Sequence, residues 1–189
     1  MSKEKTKAAA AGAAPADVPP ARPKVPIVSS AHLAAGRSAE LSEFEFGMII
    51  AGNAFTRWAV RCMSAAGVKD MTSTDVLVLH HINHRAREKK LADIAFILNI
   101  EDTHIVNYAL KKLQSLGLVH VERRGKEVLY STNEAGQELC KRYYEIREQV
   151  LVSALTGDGT ETFELGELAR FLRMLSGLYD QAARSASTM

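Results

Sequence analysis

LADIAFILNIEDTHIVNYALKKLQSLGLVHVERRGKEVLYS, residues Leu91 to Ser131, carries the sharpest periodicity in the chain. Within it, Thr103 to Leu116 repeats at helical spacing. Ile105, Val106, Ala109, Leu110, Leu113 and Leu116 form one continuous apolar arc. Thr103, His104, Asn107, Tyr108, Lys111, Lys112, Gln114 and Ser115 fill the opposite arc, which holds no acid. Leu91 to Leu98 is a shorter amphipathic helix, with Leu91, Ile94, Ala95 and Leu98 on one side. Asn99 suits the turn between the two because it tolerates left-handed backbone, and Glu101 or Asp102 can cap the second helix. Gly117 suits a left-handed helix end. The period then switches from 3.6 to 2: Val119 and Val121 alternate with His120 and Glu122, and Val128 and Tyr130 mirror them. Arg123-Arg124-Gly125-Lys126-Glu127 lies between as a basic hairpin tip.

A helix-turn-helix followed directly by a basic-tipped hairpin is a winged helix. A helix buried on one side and polar on the other can enter a DNA major groove. Asn107, His104 and Lys111 then face base edges, while Thr103, Tyr108, Lys112 and the wing cations Arg123, Arg124 and Lys126 face phosphates. Charge agrees with this placement. From Arg85 to Lys126 there are nine Lys/Arg against five Asp/Glu, whereas from Glu127 to Met189 there are six against ten. Ordinary surface variation could produce the same imbalance, and its coincidence with the winged helix gives it meaning.

The order helix, helix-turn-helix, LQSLGLV (Leu113 to Val119), basic wing and STNEAGQEL (Ser131 to Leu139) resembles the MarR family of winged-helix transcription regulators. The resemblance covers about Phe44 to Ala183. It departs in two places: this wing lacks the family's Asp-x-Arg motif, and the segment between Leu98 and the second helix is one residue longer. In that family a Thr-x-x-Gly element opens the helix after the wing, and Thr132 to Gly136 is similar but one residue longer. The resemblance implies a homodimer held by the first and the last two helices. It also implies a crevice for a small aromatic or amphipathic effector, for which Phe55, Trp58 and His80 are the nominated lining, followed by Cys62 and His84.

The expected fold is mainly α with a small β-hairpin, a winged helix-turn-helix between long N- and C-terminal dimerisation helices. Residues 1–40 hold all five prolines and few large apolar groups, which predicts a disordered tail. Residues 41–70 read as the N-terminal dimerisation helix, 71–132 as the DNA-binding domain and 133–185 as the C-terminal dimerisation helices. Phe44 to Ala66 is the first helix, with Phe44, Met48, Ala51, Phe55, Trp58, Ala59 and Cys62 along one side. Thr72 and Asp75 form a reciprocal cap for the helix after it, with Met71 and Val76 as its hydrophobic staple. Arg85 to Lys90 is a basic connection, open to a phosphate or simply solvated. Thr132 caps a helix from about Glu134 to Leu155, Thr156 to Gly159 turns, and Thr162 to Ala183 is the last helix.

Composition excludes other classes. The 189 residues are 47% hydrophobic and 24% charged, a globular balance. No apolar run approaches the ~20 residues of a membrane span, and no secretory signal is present, so no membrane partner and a cytoplasmic location are expected. Phosphate-loop, dinucleotide, nucleophile-elbow and zincin motifs are absent, so neither an enzyme nor a cofactor is expected. His80 and His84, four apart beside His81, could share a metal, but a structural or pocket role ranks ahead and no metal site is assigned. Cys62 lies on an apolar face, where an inert thiol is the default. Two readings compete with the effector-modulated regulator: a redox- or metal-responsive DNA-binding switch, and a winged helix that meets an acidic protein partner.

Overall fold

The computed structural model describes residues 39–156 and 165–189. The tail expected over 1–40 lies outside these residues but for its last two positions. The same holds for most of the expected turn at 156–159 and for the first three residues of the last helix. The chain divides into two compact units, residues 1–48 and 49–189. The described part of the first, 39–48, is helical; it is the beginning of α1 (Ala39–Ala66).

In the second unit α1 runs on to Ala66 and buries only Ala59, Cys62, Met63 and Ala66. Its earlier turns stay open, with Ile49, Ile50 and Phe55 about half exposed. α2 (Ser73–Asn83) starts at the expected reciprocal cap. The Thr72 N–H donates to Asp75 Oδ2 at 2.7 Å, and the Asp75 N–H donates to Thr72 Oγ1 at 3.2 Å. Met71 and Val76 are both buried across it. After α2 a short 3-10 turn, His84–Ala86, leads into β1 (Lys89–Lys90), a strand that the sequence reading took as connection.

α3 (Leu91–Ile97) and α4 (Thr103–Ser115) are the two helices of the helix-turn-helix. Asn99 sits in the turn with φ 52°, the left-handed conformation its short side chain tolerates. Of the two candidate caps, Asp102 serves: its side chain accepts from the His104 N–H at 2.9 Å. Val106, Ala109, Leu110 and Leu113 are buried. Ile105 and Leu116, assigned to the same arc, are instead 46% and 42% exposed. They lie side by side at one margin of the arc, whereas Leu110 at the other margin is buried.

Gly117, with φ 68°, ends α4 and turns the chain into β2 (Val119–Arg124). β2 pairs antiparallel with β3 (Glu127–Thr132) in the register Arg124↔Glu127 to Val119↔Thr132. The hairpin tip is therefore only Gly125-Lys126. β1 adds on the other side of β3, Lys89 opposite Tyr130, giving the order β1-β3-β2.

α5 (Glu134–Arg147) corrects a cap. Asn133, not Thr132, accepts from the Gly136 N–H at 3.0 Å. Thr132 turns away and donates to Asn83 Oδ1 at 3.0 Å, bonding the end of β3 to the end of α2. The Asn133 Nδ2 also donates to the Gly117 carbonyl at 2.7 Å, so one side chain closes α4 and opens α5. Gly136 is buried beside Leu118, and a Cβ there would collide with the Leu118 carbonyl oxygen. The expected single helix to Leu155 is interrupted: Glu148–Val152 widens into a π turn before α6 (Ser153–Thr156). The Ser153 hydroxyl donates to the Gln149 carbonyl at 2.5 Å, a side-chain bond of the kind that competes with helix geometry.

The core joins Met63 of α1, Leu79 and Ile82 of α2, Ile94 of α3, Leu110 and Leu113 of α4, and Leu139 of α5. Burial of each such side chain contributes roughly 1.5–3 kcal/mol. α7 (Leu165–Ala186) has an apolar band but no buried residue. No described helix is long and apolar enough to cross a membrane.

Candidate nucleic-acid interface

With its inner side fixed by Val106, Leu110 and Leu113, α4 presents the rest of its circumference outward. Thr103, His104, Tyr108 and Lys111 are exposed, Tyr108 by 75%, and Asn107 is half-buried among them. Lys112 departs from the expectation. Its Nζ donates to Asp75 Oδ2 at 2.8 Å and to the Asp70 carbonyl, so the charge expected to anchor a phosphate is held against α2. The helical wheel gave the angle of that side chain correctly, but a lysine stem can lean several ångströms toward a buried acid.

At the wing, Arg123, Arg124 and Lys126 are all exposed. Arg124 is already engaged. Its Nε and Nη2 donate to the two oxygens of Glu122 at 2.7 and 3.0 Å, and Nη2 also donates to Glu88 Oε1 at 2.7 Å. That guanidinium holds the Glu122 carboxyl below its usual range. Lys90 pairs with Glu127 on the neighbouring strand. Neither Arg123 nor Lys126 enters an ion pair among the described residues.

The basic connection before α3 is built rather than loose. Lys89 Nζ donates to the carbonyls of His84 and Arg87 at 2.9 and 3.0 Å. Burial, with Arg87 and Arg85 nearby, pulls its ammonium below the usual lysine range. Arg85 takes φ 63° in this turn, and Arg85 and Arg87 remain exposed. A two-residue strand gives no alternation to read, so β1 left no signal in the sequence beyond its charge.

A crevice of about 720 Å³ opens between α1, α2 and α5. Of the nominated residues, Phe55, Trp58, His80 and His84 line it. Cys62 does not. It is buried behind the crevice wall, where its thiol donates to the Tyr143 carbonyl at 3.6 Å, and burial raises its pKa. The cysteine at the crevice is Cys140, whose thiol burial pushes up to about 11. Which cysteine faces the opening depends on how α1 and α5 are rotated against each other, and neither helix reveals that alone. Sequence reasoning also missed Tyr143, Tyr144 and Arg147 on the α5 wall. The His80 ring meets Tyr143 edge-on at 4.3 Å. Its Nε2 is buried without a hydrogen-bond partner among the described residues, and burial lowers its pKa. Among those residues no group of three or more His, Cys, Asp or Glu side chains could hold a metal.

Residues 71–136 match the winged helix DNA-binding domain family, which spans α2 to the start of α5. No curated protein sequence matches the chain. Among solved structures, a MarR family regulator from Neisseria meningitidis is 16% identical, with a TM-score of 0.59 over 78% of this chain and 96% of its own. AbfR of Staphylococcus epidermidis is 18% identical, with a TM-score of 0.59 over 74% and 93%. A mutant MarR from E. coli, complexed with operator DNA, is 18% identical, with a TM-score of 0.58 over 72% and 95%. The class is thus a winged-helix protein with a helix-turn-helix and a three-stranded sheet. Within that class the chain has the fold seen in these MarR family regulators.

Proposed function

We propose that the chain is a sequence-specific regulator of transcription, which binds double-stranded DNA as a homodimer and represses from a pseudo-palindromic operator. The observation that carries this reading is the outer face of α4, where Thr103, His104, Asn107, Tyr108 and Lys111 stand together over a buried apolar side. Asn107, His104 and Lys111 meet base edges; Thr103, Tyr108, Arg123, Arg124 and Lys126 meet phosphates. Two copies set half-sites about one helical turn apart, ~10 bp. Exposed Leu168, Leu172 and Leu178 on α7, with Ile49, Ile50 and Phe55 on α1, support the homodimer. A small aromatic or amphipathic effector enters the crevice beside Trp58 and His80, and modulates DNA affinity by favouring one spacing of the two reading heads.

Gel shift over a salt series tests the reading. Asn107→Ala relaxes sequence preference at one position by roughly 1–3 kcal/mol. Arg124→Ala weakens binding to every duplex and lowers the salt slope by about 1. The DNA assignment of this surface fails if both variants bind as the wild type does.

A further inference from the structure

Lys112 sits on the helix proposed to read DNA, yet its ammonium points the other way. Its side chain is 36% exposed, and Asp75, the acid it reaches, is 6% exposed. The same Asp75 oxygen, Oδ2, accepts from Lys112 at 2.8 Å and from the Thr72 N–H at 2.7 Å. Lys112 also donates to the carbonyl of Asp70, a residue held at φ 64° in the turn that joins α1 to α2. One lysine thus ties three things together: the turn after α1, the cap of α2 and the last turn of α4.

A buried carboxylate is costly unless paired, and a cation bound to it is not available to a phosphate. We infer that Lys112 is a positioning residue. It fixes where α4 lies against α2, and so sets the reach of Asn107 and Lys111, without touching DNA itself. The inference rests on the reading of α4 as the DNA-contacting helix. The groove beside the contact is lined by Thr72, Thr74, Ile105 and Tyr108, and holds no second acid to take over from Asp75.

Four variants of the full chain test it: Lys112→Met, Lys112→Arg, Asp75→Asn and, as the exposed neighbour, Lys111→Met. An operator is selected from random duplexes with the wild type. Kd is then measured for it and for an unrelated duplex over a salt series. Amide hydrogen exchange of α4 is followed in the free protein. Lys112→Met is expected to cut the preference for the operator roughly tenfold, the worth of about one well-placed base contact. It leaves the salt slope on unrelated DNA unchanged and speeds exchange in α4. Asp75→Asn does the same although it removes no cation, and Lys112→Arg restores the wild-type values. Lys111→Met, which loses a base-edge contact, relaxes the operator preference at one position without speeding exchange in α4. A lower salt slope for Lys112→Met, with unchanged or tighter binding for Asp75→Asn, overturns the inference and returns Lys112 to the phosphates. Unchanged preference and unchanged exchange also overturn it. If the wild type binds no duplex, the DNA reading falls, and the exchange rates alone decide whether Lys112 holds α4.

Discussion

His80, which the sequence places in a crevice or structural role ahead of a metal pair with His84, lines the crevice. Its ring packs on Tyr143 and its Nε2 lies buried and unpartnered among the described residues. Burial disfavours the imidazolium and lowers the pKa of His80; for the half-buried His81, burial acts the same way, reinforced by Lys89. The unfolded chain therefore binds more protons than the folded one between the depressed folded pKa values and about 6.5, the value for an unperturbed imidazole. Stability is complete above about pH 6.5 and falls as pH drops below it. Urea titrations at pH 7.5 and 5.5 check this. His80→Gln is expected to shrink the loss between the two, leaving the part due to His81.

Among the elements, those specified by neighbours in sequence were legible and those specified by distant partners were not. The Thr72/Asp75 cap and the inner stripe Val106, Ala109, Leu110 and Leu113 need only local spacing. The cap of α5 needed more. Thr132 and Asn133 are both cap-competent, and what decides between them is Asn83, far back in the chain, which takes the Thr132 hydroxyl. Likewise, Lys112 and Lys111 look interchangeable until Asp75 is placed beside one of them. Gly136 belongs to this scale as well, since the first turn of α5 lies against the Leu118 carbonyl with no room for a methyl group. Gly136→Ala is expected to destabilise the fold by about 1–3 kcal/mol, the usual cost of overpacking, read as a lower urea midpoint with an unchanged slope.

For the whole molecule, the unsettled surface is α7. It has no buried residue, and Leu168 and Leu172, one helical turn apart, are both exposed. An amphipathic helix of this length gains most of its stability from packing, so a partner is expected. Sedimentation should give twice the chain mass, 20.7 kDa, for the wild type. The Leu168→Glu/Leu172→Glu pair should sediment as single chains with lower helicity. A wild type that stays a single chain at every concentration would remove the homodimer and the paired half-sites with it.

Asn133 grips the chain at both margins of the wing, through the Gly117 carbonyl before β2 and the Gly136 N–H after β3. The hairpin therefore hangs from a closed clasp, and its far end at Gly125-Lys126 bears no weight of the fold. Loop length can drift there freely while the hinge below keeps its shape. Splicing three or four extra residues between Gly125 and Lys126 should cost only about 1 kcal/mol of loop-closure entropy and lower the melting temperature by about 2–4 °C. The same graft beside Gly117 should unfasten the domain.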